Sequence, residues 1–440
     1  MKKVYIKTYG CQMNVYDSER IVESLDKDGF TETKTSDDSD LVIFNTCHIR
    51  EKAAEKLYSD IGRLRKQSNT KKIIVAGCVA QAEDSEIIRR MPDVDMVIGP
   101  QAYHRLPELV SKLDKKKKII ETDFPAESKF NLLAERRRID KKPTAFLTIQ
   151  EGCDKFCTFC VVPYTRGAEY SRTTAELIEE AKSLVDQGVV ELTLLGQNVN
   201  AYHGESLESG TSDLANLIYE LSKISGIKRL RYTTNHPNDV NDELIYAHRD
   251  IEKLMPYMHL PIQSGSNKIL KSMNRKHTVE KYIEIIDKIR AAKKGIAISS
   301  DFIVGFPGET DSDFEDTMKL VKEIEFAQAF SFNYSPRPGT PSANFEAQIP
   351  QDLKSERLHQ LQNLLKEQQF EFNNQFIGKI VRILIEKAGK EECHLVGRTP
   401  HLQSVFFEDI KKLSKIGEFV DVKINSVKAN NLNGEFIENS

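Results

Sequence analysis

The sequence predicts an α/β protein with an N-terminal open parallel α/β domain, a central incomplete (β/α)6 barrel and a small C-terminal all-β barrel. Three observations lead to this prediction. Strand-like and helix-like segments alternate over the first three quarters of the chain, which indicates parallel sheets. After residue 378 the predicted elements are short β segments. A chain of 440 residues also exceeds what one hydrophobic core supports.

The N-terminal domain is expected over residues 1–114, because one pattern occurs there three times. A strand-like run is followed by a cysteine and then by a helix-like segment. The strands are predicted at 4–8, 41–45 and 73–76, the cysteines are Cys11, Cys47 and Cys78, and the helices are predicted at 18–27, 50–66 and 82–91. Parallel strands end at the same edge of a sheet, so the three thiols are expected to converge there as a shared metal site. The alternative is three separate buried thiols.

Residues 115–142 are predicted to be a basic linker. They include ten basic and five acidic residues, a local net charge of +5, and the run Arg136, Arg137 and Arg138. This stretch is interpreted either as a solvated linker or as a segment that contacts phosphate.

The central domain is expected over residues 143–345 and resembles part of a (β/α) barrel. Its strands are predicted at 145–149, 189–195, 228–233, 257–262, 297–304 and 328–333, and its helices at 174–187, 214–224, 242–248, 279–292 and 313–324. A connector at 346–377 contains an amphipathic helix over 353–376. Residues 378–440 follow with β segments at 380–385, 392–397, 404–407 and 419–425, which predict a small barrel.

The composition is that of a soluble folded protein. Hydrophobic residues make up 39% and charged residues 29%, and the formal net charge is −3. Coating of nucleic acid by bulk positive charge is therefore excluded, whereas a local basic patch is not. No apolar stretch is long enough for a membrane span, and the first residues lack the apolar core of a signal peptide. A cytoplasmic protein with reduced thiols and no membrane association is expected.

A second set of three cysteines follows the first predicted barrel strand with the spacing C-x3-C-x2-C. These are Cys153, Cys157 and Cys160. Structural zinc takes four ligands, and the nearest downstream histidine is the distant His203, so zinc is disfavoured. Thiolates are also the usual ligands of iron–sulfur clusters. Three thiolates on a four-iron cluster leave one iron free for a chelating ligand such as S-adenosylmethionine.

The segment from Glu151 to Gly167 resembles the radical S-adenosylmethionine methylthiotransferases. Several further blocks resemble the same family in order along the chain: residues 9–14, 45–50, 76–78, 195–200, 259–266, 304–310 and 334–340. Residues 46–50 and 154–160 are similar to the branch of tRNA-2-methylthio-N6-dimethylallyladenosine synthases. The C-terminal module resembles a TRAM domain, which implies RNA binding.

The resemblance implies a transferase that inserts sulfur and methyl at C2 of N6-isopentenyladenosine, next to the tRNA anticodon, giving 2-methylthio-N6-isopentenyladenosine. It implies one [4Fe-4S] cluster on Cys153, Cys157 and Cys160 that chelates S-adenosylmethionine, and an auxiliary [4Fe-4S] cluster on Cys11, Cys47 and Cys78. The expected partners are the tRNA anticodon loop and an electron donor of flavodoxin or ferredoxin type, and a monomer is expected. The sulfur donor is left open.

Two alternatives to this function stay open. The first is methylthiolation of threonylcarbamoyladenosine in tRNA or of a ribosomal protein aspartate. The second is a non-enzymatic, metal-stabilised RNA-binding protein.

The resemblance also suggests residues around the cofactor, although no side chain is assigned as a catalytic acid or base. Cofactor contacts are expected from Phe159, Gln197, Asn198, Gln263, Ser264, Gly305 and Gly308. Core packing is the alternative for Phe159, and a plain tight turn is the alternative for the two glycines. Arg166 is expected to pair with either a carboxylate or tRNA phosphate, and the run Arg136, Arg137 and Arg138 to contact RNA. Cys393 is expected to be an unreactive thiol.

Overall fold

The computed structural model describes residues 2–48, 51–67, 70–113, 118–124, 129–132, 138–139, 141–409, 411–428 and 430–437. The chain divides into two compact units. The first comprises residues 1–140, 150–156 and 160–172, and the second comprises residues 141–149, 157–159 and 173–440. Among the described residues, no helix has both the length and the apolar character needed to cross a membrane.

The first unit is built on a six-stranded, all-parallel sheet with the strand order β2-β1-β3-β4-β5-β6. Its strands are β1 (Lys2–Thr8), β2 (Phe30–Glu32), β3 (Leu41–Thr46), β4 (Lys72–Gly77), β5 (Met96–Ile98) and β6 (Ile119–Glu121). Its helices are α1 (Gln12–Asp26), α2 (Glu51–Gln67), α3 (Cys78–Glu83), α4 (Ser85–Arg90), α5 (Leu106–Lys112) and α6 (Lys129–Leu132).

The two central strands explain why this sheet is parallel and covered on both faces. All six residues of β3 are buried, and so are five of the six in β4. Such continuous apolar runs suit strands with helices on either side. Ile43 and Ile74 pack on one face with Leu25, whereas Val42 and Val75 pack on the other face with residues of α2 and α3.

The structure confirms the three strand–cysteine–helix units and differs in detail. Helix α1 begins at Gln12, six residues before the predicted start, so that Cys11 is its N-cap. The helix predicted at 82–91 is two short helices, because Asp84 has a left-handed backbone (φ +47°) that interrupts it. The predicted start of the second helix, Arg50, lies outside the described residues. Strand β6 and helix α6 fall in the expected linker at 115–142, so this stretch contributes to the first unit.

The chain next forms β7 (Thr144–Thr148), β8 (Gln150–Glu151), α7 (Val162–Arg166) and β9 (Tyr170–Ser171). Strands β8 and β9 form a short antiparallel pair within the first unit. Cys153, Cys157 and Cys160 lie in the irregular segment between β8 and α7.

The second unit contains the six predicted parallel barrel strands. They form two three-stranded sheets, β11-β10-β7 and β12-β13-β14, linked by a bridge between Leu230 and Leu254. The elements after β9 are α8 (Thr174–Asp186), β10 (Glu191–Leu195), α9 (Leu214–Ser222), β11 (Arg229–Tyr232), α10 (Asp242–Asp250), β12 (Tyr257–His259), α11 (Asn267–Ser272), α12 (Val279–Ala292), β13 (Ala297–Val304), α13 (Asp311–Ile324) and β14 (Gln328–Asn333). The incomplete barrel is thus confirmed, and α11 is the element that the sequence pattern missed.

A long helix and a closed five-stranded barrel complete the second unit. These are α14 (Gln351–Asn374), β15 (Ile380–Ala388), β16 (His394–Arg398), β17 (Ser404–Glu408), β18 (Phe419–Val427) and β19 (Asn431–Phe436). The small barrel closes in the order β15-β16-β17-β19-β18, as predicted apart from the additional strand β19.

Two buried arginines of β11 attach this small barrel to the strands before it. Arg229 donates to the carbonyls of Arg382 and Arg398, each at 2.8 Å. Arg231 donates to the carbonyls of Thr399 and Pro400, also at 2.8 Å. The two buried guanidiniums therefore each hold two backbone carbonyls of the small barrel.

Candidate functional site

The first three cysteines lie together at the carboxyl edge of the N-terminal sheet. Cys11 follows β1 and precedes α1, Cys47 follows β3, and Cys78 is the first residue of α3 directly after β4. Strands β1, β3 and β4 are neighbours in the sheet. The predicted convergence of the three thiols is therefore confirmed in the positions of their strands.

Glycines before two of these cysteines make the close approach possible. A Cβ on Gly10 would lie 2.7 Å from the Cys47 sulfur, and one on Gly77 would lie 2.4 Å from the Thr46 carbonyl oxygen. Both glycines also have positive φ angles, +104° and +93°. A side chain at either position would displace the turn that presents the neighbouring cysteine.

Two buried asparagines hold the turns that carry Cys11 and Cys47. The Cys11 thiol donates to Asn14 Oδ1 at 3.0 Å, and Asn14 Nδ2 donates to the carbonyl of Thr46 at 2.8 Å. Asn45 Nδ2 donates in turn to the carbonyl of Asn14 at 2.8 Å. Buried amides with these partners fix the loops relative to each other.

The electrostatics of this edge favour a thiolate at Cys11. A hydrogen bond from Cys47 is the main reason that the pKa of Cys11 is lowered to about 6, against the opposing effect of burial and with support from Arg166. Burial raises the pKa of Cys78, and the nearby charge of Arg166 partly offsets that effect. Since metals and iron–sulfur clusters bind thiolates, the edge is suited to a thiolate-ligated group.

Arg166 is buried beside these cysteines within a network of four charges in the first unit. Its Nη2 lies 2.6 Å from Asp17 Oδ2, and its Nη1 lies 2.6 Å from Glu151 Oε1. Lys129 Nζ lies 2.9 Å from the same Glu151 oxygen and 3.5 Å from Asp17 Oδ1. All four residues are at most 3% exposed, and their formal charges cancel.

This network answers the question that the sequence left open for Arg166. The structure pairs Arg166 with carboxylates, one of the two kinds of partner that the sequence predicts. The RNA-binding prediction for Arg166 is therefore not supported, because the guanidinium is 3% exposed and its two terminal nitrogens are hydrogen-bonded. The charges of Asp17 and Glu151 overcome burial and raise the pKa of Arg166.

Of the cysteines in the C-x3-C-x2-C segment, Cys153 belongs to the first unit. Its N–H donates to the carbonyl of Gly167 at 3.2 Å. The preceding Gly152 has a φ of +79°, and a Cβ there would lie 2.0 Å from the Ala168 carbonyl oxygen. Only glycine can therefore hold the chain this close to the segment after α7.

Cys157 and Phe159 belong to the second unit, where the segment after α11 holds them. Thr158 N–H donates to the carbonyl of Met273 at 3.0 Å, and its hydroxyl donates to that of Ser272 at 3.0 Å. Phe159 is half-buried against the apolar cluster of Met273 and Phe306. Core packing, the alternative for Phe159, is thus observed for part of its ring.

The predicted cofactor contacts that follow the barrel strands occupy different environments. Gln197 is half-buried, and Asn198 is buried and donates to Asp239 Oδ2 at 2.8 Å. Gln263 has a φ of +81° and bridges to Phe302 of β13. Ser264 is fully buried and accepts a hydrogen bond from the N–H of Ser266. Its position supports a structural role more than contact with a ligand.

The two glycines after β13 differ in what surrounds them. A Cβ on Gly305 would lie 2.1 Å from Lys354 Cγ of α14, and the Gly305 N–H donates to Glu309 Oε1 at 2.9 Å. No atom lies within 4 Å of the position of a Cβ on Gly308. Both have positive φ angles, +70° and +81°, which is the tight turn expected as the alternative.

The basic run of the linker is only partly described. Arg136 and Arg137 lie outside the described residues, and Arg138 is half-buried. Contact of these residues with RNA stays a prediction.

Sequence reasoning missed four charged residues around the cysteines: Asp17, Lys129, Glu151 and Arg275. Glu151 directly precedes Gly152 and Cys153, so its place in the sequence was a signal that it lies near the site. Asp17 lies on the apolar face of α1, where an acidic residue is a signal of a buried ion pair. Lys129 and Arg275 gave no such signal, since their burial depends on contacts distant in sequence.

The described part of the chain contains no group of three or more His, Cys, Asp or Glu side chains arranged to hold a single metal ion. The three thiols at the N-terminal edge are the ligand type that a four-iron cluster takes, and the positive charge of Arg166 beside them favours their thiolate form.

Comparison with known protein families gives three matches along the chain. Residues 3–99 match the uncharacterized protein family UPF0004, residues 147–321 match the radical SAM superfamily, and residues 374–437 match the TRAM domain. This combination of domains is typical of one family. The chain has the domain architecture of the radical S-adenosylmethionine methylthiotransferases.

Solved structures with a similar fold agree with the radical SAM assignment. The radical S-adenosylmethionine methyltransferase TsrM from Kitasatospora setae, with cobalamin and a [4Fe-4S] cluster bound, aligns with a TM-score of 0.57 and 14% identity over 78% of this chain and 77% of that one. The cobalamin-dependent radical enzyme OxsB, with aqua-cobalamin and S-adenosylmethionine bound, aligns with a TM-score of 0.53 and 13% identity over 83% of this chain and 56% of that one. At sequence identities of 13% and 14%, the similarity between this chain and the two structures is one of fold.

The charge network around Arg166 predicts a large effect of Asp17→Asn on stability. The substitution leaves buried positive charge without its partner, so we expect the free energy of unfolding to fall by about 3–5 kcal/mol in urea denaturation. Asp26→Asn, an exposed position on the same helix, is the matched control and should change it by less than about 0.5 kcal/mol. Equal effects of the two variants would contradict the role of the network.

The lowered pKa of Cys11 predicts its reactivity in the metal-free protein. Its alkylation by iodoacetamide, followed residue by residue by mass spectrometry, should rise with a midpoint near pH 6, below that of Cys78. Cys47→Ala should move the Cys11 midpoint upward by about one unit or more, because the main hydrogen bond is lost. Cys393→Ala serves as the control without effect. A Cys11 midpoint at or above that of Cys78 would refute this electrostatic account.

Proposed function

We propose that this enzyme is a tRNA methylthiotransferase that converts N6-isopentenyladenosine next to the anticodon to 2-methylthio-N6-isopentenyladenosine. The observation that carries the proposal is the presence of two cysteine triads in one chain that also has a TRAM domain. One triad would serve radical generation, and the other would serve sulfur transfer. The similarity of residues 46–50 and 154–160 to the dimethylallyladenosine branch supports this particular base.

The proposal assigns one [4Fe-4S] cluster to each triad. The radical SAM family implies the cluster and S-adenosylmethionine at Cys153, Cys157 and Cys160. We assign the auxiliary cluster to Cys11, Cys47 and Cys78 because they share one sheet edge and because the pKa of Cys11 is lowered. A bound cluster with S-adenosylmethionine supplies a radical strong enough to abstract hydrogen from the unactivated C2–H of adenine.

The chain's own residues would hold these groups and keep them apart from water. Asn14 and Asn45 fix the turns of the auxiliary site, and Arg166 adds positive charge beside its thiolates. The segment after α11 holds Cys157 from within the barrel unit. Such fixed donors orient a cluster without reorganisation during the reaction.

RNA is the proposed macromolecular partner. A TRAM domain suggests RNA binding, and an anticodon loop has unpaired bases that can leave the stack at low cost. With a net charge of −3, contact with phosphate has to come from local basic residues. An electron donor of flavodoxin or ferredoxin type, a monomeric state and a cytoplasmic location stay predictions.

A nucleoside digest of tRNA tests this function directly. Cells that lack the gene should contain N6-isopentenyladenosine and lack its 2-methylthio derivative by mass spectrometry. A plasmid with the wild-type gene, or with the matched control Cys393→Ala, should restore the derivative. Cys11→Ala and Cys157→Ala should each fail to restore it, because each removes a ligand of a different cluster.

Other outcomes of the same digest would refute the assignment. Persistence of the methylthio nucleoside in the deletion strain would exclude this substrate. A loss confined to threonylcarbamoyladenosine derivatives, or to the methylthio group of a ribosomal protein, would assign the enzyme to a sibling activity. Normal product from either triad variant would contradict the two-cluster mechanism.

A further inference from the structure

Arg275 contacts Cys157 in the second unit, and its guanidinium is buried. The residue is 5% exposed, and Cys157 is 8% exposed. Arg275 Nη1 donates to the Cys157 sulfur at 3.5 Å, a distance typical of an N–H···S contact. Its Nη2 donates to the carbonyl of Pro261, in the segment after β12. The side chain thus joins the cysteine segment to the barrel interior.

The backbone around Arg275 is held in an unfavourable conformation. Asn274 and Lys276, which flank it, both have left-handed backbones, with φ angles of +58° and +56°. The N–H of Arg275 itself donates to the carbonyl of Leu270 at 2.9 Å. Left-handed positions outside glycine persist where the surrounding structure imposes them, and they cluster at functional sites. The turn after α11 thus has a left-handed residue on each side of Arg275.

No carboxylate of the described residues balances the charge of Arg275. Among the residues that the structure describes, no carboxylate lies within ion-pair distance of its guanidinium, and Nε has no hydrogen-bond partner. Three other buried arginines, Arg166, Arg231 and Arg357, each have a carboxylate oxygen within 3.0 Å. A buried guanidinium without a counter-charge is strongly unfavourable, so its position calls for a negative group at Cys157.

We propose that Arg275 is a positioning residue for the radical-generating cluster. It donates to the sulfur of Cys157, and its charge balances the negative charge that the cluster thiolates bring. The proposal rests on the ligation of that cluster by Cys157, as given under the proposed function. When the cluster takes one electron from a donor of flavodoxin or ferredoxin type, Arg275 stabilises the added negative charge and raises the reduction potential.

A redox titration of the reconstituted, full-length enzyme tests this role. The electron paramagnetic resonance signal that changes on addition of S-adenosylmethionine identifies the relevant cluster. Arg275→Gln should shift its reduction equilibrium about tenfold toward the oxidised form, which is about 59 mV for one electron. Arg275→Lys keeps the charge and should stay within about threefold of wild type. Arg290→Gln, which removes a guanidinium that donates to the Ile324 carbonyl, is the matched control and should have no effect.

If a variant fails to bind the cluster, its iron content and melting temperature are measured as a second test of the proposal. Loss of this cluster in Arg275→Gln and its retention in Arg275→Lys, with unchanged melting temperatures, would support the need for a positive charge. A wild-type potential in Arg275→Gln, equal shifts in both variants, or loss of the cluster in both would overturn the proposal. Absence of a signal responsive to S-adenosylmethionine in wild type would instead refute the proposed function itself.

Discussion

The N-terminal cysteine edge depends on one buried interaction, the guanidinium of Arg166 between the carboxylates of Asp17 and Glu151. It joins helix α1, the strand before the second cysteine triad and helix α7 in the first unit. Lys129 completes the network, so two positive and two negative charges cancel among side chains that are at most 3% exposed. Since a buried charge is tolerated only with its partners, these four side chains hold α1, α6, β8 and α7 together beside Cys11 and Cys78.

A buried arginine lies beside a cysteine of each triad, and the two arginines differ in whether carboxylates balance their charge. Arg166 reaches the N-terminal triad with its own charge already matched by carboxylates, and it contributes to the lowered pKa of Cys11. Arg275 reaches Cys157 without a described carboxylate partner. In the first arrangement the carboxylates already balance Arg166, whereas in the second the proposed cluster would supply the counter-charge of Arg275. This difference fits the separate chemical tasks proposed for the two clusters.

The sequence predicted the alternating fold well because buried parallel strands such as β3 and β13 have strong apolar patterns. It also located the six cysteines of the two proposed triads, whose spacing is local or follows each strand. Its errors have physical reasons: the break at Asp84 depends on a left-handed backbone, and β6 is three residues long. The sequence predicted a carboxylate as one of two possible partners of Arg166, but it could not identify Asp17, which lies 149 residues away. The contacts of Arg275 with Cys157 and Pro261 likewise depend on the fold and leave no local pattern.

We propose that each cysteine triad binds its own four-iron cluster. Native mass spectrometry of the anaerobically reconstituted chain can count the clusters, because each intact cluster adds a defined mass. We expect two [4Fe-4S] clusters per wild-type chain. We expect one when Cys11, Cys47 and Cys78 are all replaced by alanine, and one when Cys153, Cys157 and Cys160 are. A single cluster in wild type, or a single bound zinc ion, would rule out one cluster per triad.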